Sequence, residues 1–183
     1  MKRLVIILIA VLIVFSGLAC DFNISVSTVI DKSELKSSEN STFTQNKRFF
    51  VAGGNAISEI IKDNSGNYIR SELIQAGQGW SFTGLTSRNN VLYAAATLYV
   101  EDPSASWGVP VAAMLYKVNV ASSVPVVKSA ILEGHYLILA NGMAVDNKNN
   151  IYISNTMSAY AAQSGLFEAA IIKVSITNED PFT

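Results

Sequence analysis

Cysteine and histidine each occur once in 183 residues, and charged side chains make up only 15% of the chain. One cysteine cannot close an internal disulfide, so the framework of a small disulfide-stapled secreted domain is excluded. Thirteen basic residues against fourteen acidic ones give a net charge of −1. That balance leaves no electrostatic footprint for nucleic acid or for an anionic lipid surface. Beyond Cys20 no stretch keeps apolar residues at i, i+3, i+4 and i+7 between capping residues, so no long helix is expected. The nucleophile-elbow pattern Gly-x-Ser-x-Gly is absent. Gly77-Gln78-Gly79-Trp80 is followed by neither Lys-Ser/Thr nor a helical pattern, which excludes a phosphate loop.

What the chain has in quantity is apolar residues. They make up 50% of it, and fifteen of the first nineteen residues belong to that set. This excludes a disordered chain. Lys2 and Arg3, an unbroken apolar run over residues 4–15, and Ser16-Gly17-Leu18-Ala19 read as the three regions of a secretory signal over 1–19. The run of twelve residues reaches about 18 Å as a helix, short of the roughly 30 Å hydrocarbon core. An exported protein is therefore expected. Cys20 follows directly. Leu18-Ala19-Cys20 resembles the end of a bacterial lipobox, with Gly17 where that pattern places Leu. The resemblance implies a lipid on Cys20 as the first mature residue, an anchor at the bacterial cell envelope. Gly17-x-Ala19 also fits ordinary signal cleavage at the same bond, which leaves a free thiol. Either cut removes Lys2 and Arg3 and brings the charge to −3.

Residues 20–47 follow as the anchored cysteine and a tether. Twelve of the twenty-seven residues at 21–47 are Ser, Thr or Asn, with few large apolar ones. From residue 48 onward the reading is a succession of short β-type segments: 48–52, 56–62, 68–74, 80–86, 91–100, 111–120, 124–132, 139–145, 151–154 and 170–176. Gly53-Gly54-Asn55 and Asp63-Asn64-Ser65-Gly66-Asn67 between them are turn chemistry, supplying residues that tolerate positive φ. Residues 101–110, with Pro103 and Trp107, read as a long loop on one rim. There Trp107 would either stack on carbohydrate or pack onto the sheet edge.

An internal repeat organises these segments. Gly84-Leu85-Thr86-Ser87-Arg88-Asn89-Asn90-Val91-Leu92-Tyr93 lies on Gly142-Met143-Ala144-Val145-Asp146-Asn147-Lys148-Asn149-Asn150-Ile151-Tyr152, and Leu115-Tyr116-Lys117-Val118 lies on Ile171-Ile172-Lys173-Val174. A period near 57 with three or four strands per unit suits a β-propeller blade. The expected fold is all-β, a propeller of four-stranded blades with about three present, at 48–74, 80–132 and 139–183. Closed propellers have about four to eight blades, so the chain is expected to be the N-terminal part of a longer protein, with the remaining propeller blades missing from it. A β-sandwich is the alternative, since strands at this spacing serve it equally.

Ala140-Asn141-Gly142-Met143-Ala144-Val145-Asp146-Asn147-Lys148-Asn149-Asn150-Ile151-Tyr152-Ile153-Ser154-Asn155-Thr156 resembles a blade signature. It is that of the six-bladed gluconolactonase, senescence-marker-protein and strictosidine-synthase-like superfamily, shared in most positions by NHL repeats. The likeness is strong over these seventeen residues and fainter at 84–94. It implies a divalent-metal hydrolase of a lactone or ester, with Ca²⁺ or Zn²⁺ held in the central channel and Asn141 as the matching ligand. An amide oxygen suits Ca²⁺. The Glu of the first blade and the Asp of a later blade that complete such a site have no counterpart here. His135, on the segment entering the strand of Asn141, would be the general base, because the paraoxonase-like relatives place a His there. The competing function is a non-catalytic propeller that binds an envelope ligand or a protein partner. Asp63 and Asp146 open Asn-rich turns. The stretch 146–150 looks like a calcium loop, but Lys148 stands at a ligand position and the glycine is missing, so both aspartates are assigned to hairpins.

The envelope anchor has a direct check. In a bacterial host Cys20→Ser should move the protein from the membrane pellet to the soluble fraction. Retention of the mutant in the pellet would mean that an uncleaved helix or a partner holds it.

Overall fold

A computed structural model describes residues 28–30, 37–103, 105–132, 140–155 and 170–176, with the backbone alone at 105–107, and every regular element among them is a strand. The first sheet holds β1 (Asn40–Phe43), β2 (Phe49–Gly53), β3 (Ala56–Lys62) and β4 (Tyr68–Gln75). The middle sheet holds β5 (Trp80–Arg88), β6 (Val91–Asp102), β7 (Ala105–Asn119) and β8 (Val126–Leu132). The third holds β9 (Ala140–Val145), β10 (Ile151–Asn155) and β11 (Ala170–Val174). All three are antiparallel meanders in which each strand pairs with its neighbour in the chain. The all-β expectation therefore holds.

Two sequence expectations are corrected. The tether does not extend to residue 47, because Asn40–Phe43 pairs with β2 from Asn40↔Ala52 to Phe43↔Phe49 and gives the first sheet its fourth strand. Four polar-rich residues carry too little apolar signal to stand out, and here the ladder rather than the side chains holds the strand. Residues 101–110 are not a free loop either. β6 and β7 continue as a paired arm to Asp102↔Ala105, with register shifts at Leu98/Tyr99 and Val100/Asp102. Gly108, at φ 82, takes up part of the irregularity.

The tight turns share one chemistry. Residues 44–48, 63–67 and 146–150 each close with the first residue's N–H bonded to the fifth carbonyl and the fourth N–H bonded back to the first carbonyl. The fourth residue is left-handed in all three: Lys47 at φ 60, Gly66 at 84 and Asn149 at 64. Asp63 Oδ1 accepts from the N–H groups of Ser65 and Asn67, and Asp146 Oδ1 accepts from those of Lys148 and Asn150. Both aspartates thus act as hairpin residues.

The core lies between sheets. β6 is buried on both faces from Leu92 to Thr97, which is why its sequence is a near-continuous apolar run instead of an alternation. Leu92, Ala94 and Ala96 join Phe50, Ala52 and Ile57 of the first sheet, with Phe82, Leu85 and Val118. Tyr93 and Ala95 turn the other way and join Leu115, Ala113, Ile151 and Ile153, with Met143, Val145 and Ile172 packed against them. Each fully buried large side chain of this set contributes about 1.5–3 kcal/mol. Arg48 ties the first two sheets together. It forms a two-pronged pair with Glu59, both contacts at 2.7 Å, stacks over Phe50, and donates from Nη1 to the Val120 carbonyl. The Glu59 bond raises the Arg48 pKa above its ordinary value.

Pairing register extends the repeat to all three sheets. Tyr93 pairs Lys117 and Tyr152 pairs Lys173, while Phe50 pairs Glu59 at the same place in the first sheet. Two residues on, the pairs are Ala95↔Leu115, Ser154↔Ile171 and Ala52↔Ile57. Gly84 and Gly142 occupy the same point on β5 and β9. A Cβ at Gly84 would stand 2.5 Å from the Asn141 carbonyl oxygen and 2.7 Å from Met143 Sδ, whereas one at Gly142 would meet only Ser154 Oγ at 3.2 Å. The hydrogen at Gly84 is thus what lets the third sheet seat on the middle one. Gly84→Ala should cost about 1–3 kcal/mol by overpacking and Gly142→Ala much less, a difference that urea unfolding midpoints will read.

Candidate functional site

The first strands of the three sheets lie side by side, β1 against β5 and β5 against β9. Their starts carry the polar residues that the fold brings together. Thr83 is the extra residue of a bulge in β5, since Phe82 pairs Ala96 and Gly84 pairs Ala95. Asn141 and Gly142 together oppose Ser154 in β9, where Ile153 pairs Met143 and Asn155 pairs Ala140. A bulge breaks the alternation and re-aims a side chain away from the sheet faces. Asn40, on β1, donates from Nδ2 to the Thr83 carbonyl at 2.7 Å. The Asn141 carbonyl lies against Gly84. Asn40, Thr83 and Asn141 therefore form one row across three sheets. The Asn141 residue is exposed, and Thr83 Oγ1 is buried with no hydrogen-bond partner.

The row joins one sequence candidate, Asn141, to two residues not singled out from the sequence. Thr83 could have been found by reading the repeat one residue further back, where Thr83-Gly84 stands on Asn141-Gly142. Asn40 carried no such signal because its strand was hidden in a polar stretch. His135 and Cys20 lie outside the described residues, and the Trp107 side chain is not described. The donors in the row are amides, a hydroxyl and carbonyls. Among the described residues no three His, Cys, Asp or Glu side chains stand together. A Ca²⁺ site draws six to eight oxygens, carboxylates among them. The row by itself does not fit a divalent ion.

The opposite ends of the first strands are joined by hydrogen bonds between turns. Gln45 N–H donates to the Asn89 carbonyl at 2.7 Å and Asn46 N–H to Asn90 Oδ1 at 3.3 Å, linking the first sheet to the middle one. Arg88 donates to the Asp146 carbonyl and to Asn149 Oδ1, linking the middle sheet to the third. In the 146–150 turn, Asp146 Oδ2 accepts from Asn150 Nδ2 at 2.7 Å and from the Tyr152 hydroxyl at 3.2 Å. The Asn150 side-chain bond, with the backbone N–H bonds of Asn150 and Lys148, holds the Asp146 carboxyl down to about 2 from 3.8. All four donors favour the charged form. The carboxylate is thus committed to its own turn.

Comparison with known protein families, with curated proteins and with solved structures finds no match to this chain.

Because folding lowers the Asp146 pKa, its contribution to stability is complete above the unfolded value of 3.8 and is lost as the pH falls toward about 2. Asp146→Ala should lower Tm near neutral pH, with the gap to wild type narrowing between about pH 4 and pH 2. Thermal unfolding followed by circular dichroism across that range is the check.

Proposed function

We propose that the chain is an arc of a β-propeller of the gluconolactonase-like type, exported and held at the bacterial envelope by a lipid on Cys20. In this reading it is a binding module whose ligand meets the starts of the first strands. The arrangement that supports the propeller is the serial packing of three meanders with their first strands adjacent and the middle sheet buried on both faces. A two-sheet sandwich has no such middle layer.

The observation that carries the binding reading is the row Asn40, Thr83 and Asn141. It offers amide and hydroxyl groups, one of them buried and unpartnered, with no grouped carboxylates among the described residues. Neutral donors and acceptors at fixed spacing suit an uncharged, hydroxyl-bearing ligand such as an envelope glycan. A charged ligand would find no counter-charge in the row. Hydrolysis of a lactone or ester is the second reading, favoured by the placement of Asn141 on a bulge at the start of a first strand. It requires acidic ligands from elsewhere and a base such as His135.

Titration with oligosaccharides from bacterial envelopes, followed by NMR or calorimetry, tests the binding module. Asn141→Ala should weaken binding about threefold to tenfold, the worth of one neutral hydrogen bond, with the unfolding curve unchanged. Calcium-dependent turnover of a lactone by the wild type, lost in Asn141→Ala, would replace the binding reading with the hydrolase.

A further inference from the structure

Among the described residues, two buried side-chain polar atoms make no hydrogen bond, Thr83 Oγ1 and Thr97 Oγ1. Buried hydroxyls are nearly always paired, with protein or with ordered water, because an unpaired one loses its hydration without replacement. These two stand on adjacent strands. Thr97 on β6 pairs Ser81 on β5, and Thr83 is the bulge residue two positions on, opposite Ala95 and Ala96. That offset is the diagonal of an antiparallel pair, roughly 7–8 Å between backbones and less between side chains. One water bonded to both hydroxyls at about 2.8 Å spans up to about 5.5 Å between them. Thr97 is fully buried. Its partner Ala113 and its neighbour Ala95 belong, with Ala140 at the start of β9, to the cluster between the middle and third sheets. These alanines bring no side-chain donor or acceptor. Burial and the Glu39 charge raise the pKa of Tyr99, and the Thr97 hydroxyl acts in the opposite sense, which puts the phenol near Thr97.

We infer that the Thr83 and Thr97 hydroxyls together hold one internal water, where the middle sheet meets the start of β9. Each hydroxyl offers it a proton or a lone pair, and the Tyr99 hydroxyl is a third group beside it. An internal water needs two to four such partners. It enters beside Tyr99, which is half-buried at the root of the β6–β7 arm. A cation is the poorer occupant, because both hydroxyls are neutral and the side chains next to Thr97 are alanines. The water ties Thr83, whose carbonyl holds Asn40, to the strand behind it, and so fixes the row from within. A threonine hydroxyl has one proton and two lone pairs, so Thr83 can bond the water and still meet a ligand. The water site goes beyond the reading of the row and does not depend on it, so failure of the glycan titration leaves it untouched.

Valine has the shape of threonine without the hydroxyl, which makes a double-mutant cycle the test, read by urea unfolding of the intact natural polypeptide. With a shared water, Thr83→Val or Thr97→Val alone leaves the other hydroxyl short of a partner. Each should lower the folding equilibrium constant about tenfold. The two substitutions together remove both hydroxyls and the water, and the double variant should unfold at higher urea than either single one. Oxygen-17 relaxation dispersion, which counts long-lived internal waters, should find one fewer in the double variant than in the wild type. Additive effects in the cycle, of either sign, would overturn the inference, since the two hydroxyls would then be independent. So would an unchanged count of internal waters. A wild-type midpoint that rises with sodium or potassium at constant ionic strength, and does not in the double variant, would put a cation in the water's place.

Discussion

Burial of the middle sheet on both faces is the constraint on which the rest of the fold depends. A sheet covered on one side can alternate apolar and polar residues, but β6 cannot, and its small Leu92–Thr97 run lets two neighbouring sheets approach at once. Alanine at 94, 95 and 96 and glycine at 84 keep that approach close, while the bulk of the two cores is shared, Phe50 and Ile57 joining Phe82 and Leu92 on one side and Ile151 and Ile153 joining Tyr93 and Leu115 on the other. Interiors are close-packed, so one added methyl at the narrowest point is felt across the whole interface.

Polar contacts fix the angle that the apolar faces leave loose. Burial is non-directional, whereas the Arg48 fork to Glu59 with its bond to Val120, and the Arg88 bonds to the 146–150 turn, each require one orientation of neighbouring sheets. Planar guanidinium donors suit this because several bonds leave one rigid group. The 146–150 turn that receives Arg88 is itself held by the Asp146 carboxylate and by Asn149 in the left-handed region, contacts local in sequence. Function, in the reading proposed here, sits at the other ends of the same strands. There the bulges release Thr83 and Asn141 from the sheet faces, and the rigid ladder behind them sets their spacing.

Much of the fold was legible because strands and turns are local. The polar turns at 63–67 and 146–150, the apolar segments between them and the paired motifs at 84–93 and 142–152 all depend on neighbours in sequence. The role of Asp146 as a hairpin residue followed from the same local chemistry, since an aspartate two and four residues before free N–H groups caps them. Asn40–Phe43 was not legible. A short polar-rich strand has no periodicity of its own, and its place comes from the ladder offered by β2 and from the Asn40 bond to Thr83. The extended arm at 101–110 was likewise masked by Pro103 and Gly108, which read as loop residues until β6 and β7 pair across them.

The sequence by itself determined the β class, the turns and the repeat, because propensity and spacing act within a few residues. Only the tertiary structure decided which faces of the repeat are covered and which polar residues share a row. Ile57, Leu115 and Ile171 are near-equivalent aliphatics in sequence and in register, yet Ile171 alone faces solvent. Successive members of the row Asn40, Thr83 and Asn141 stand about forty to sixty residues apart in the chain. Exposure and proximity are set by what packs against a strand, and a strand carries no record of its neighbour beyond the pattern of its own side chains.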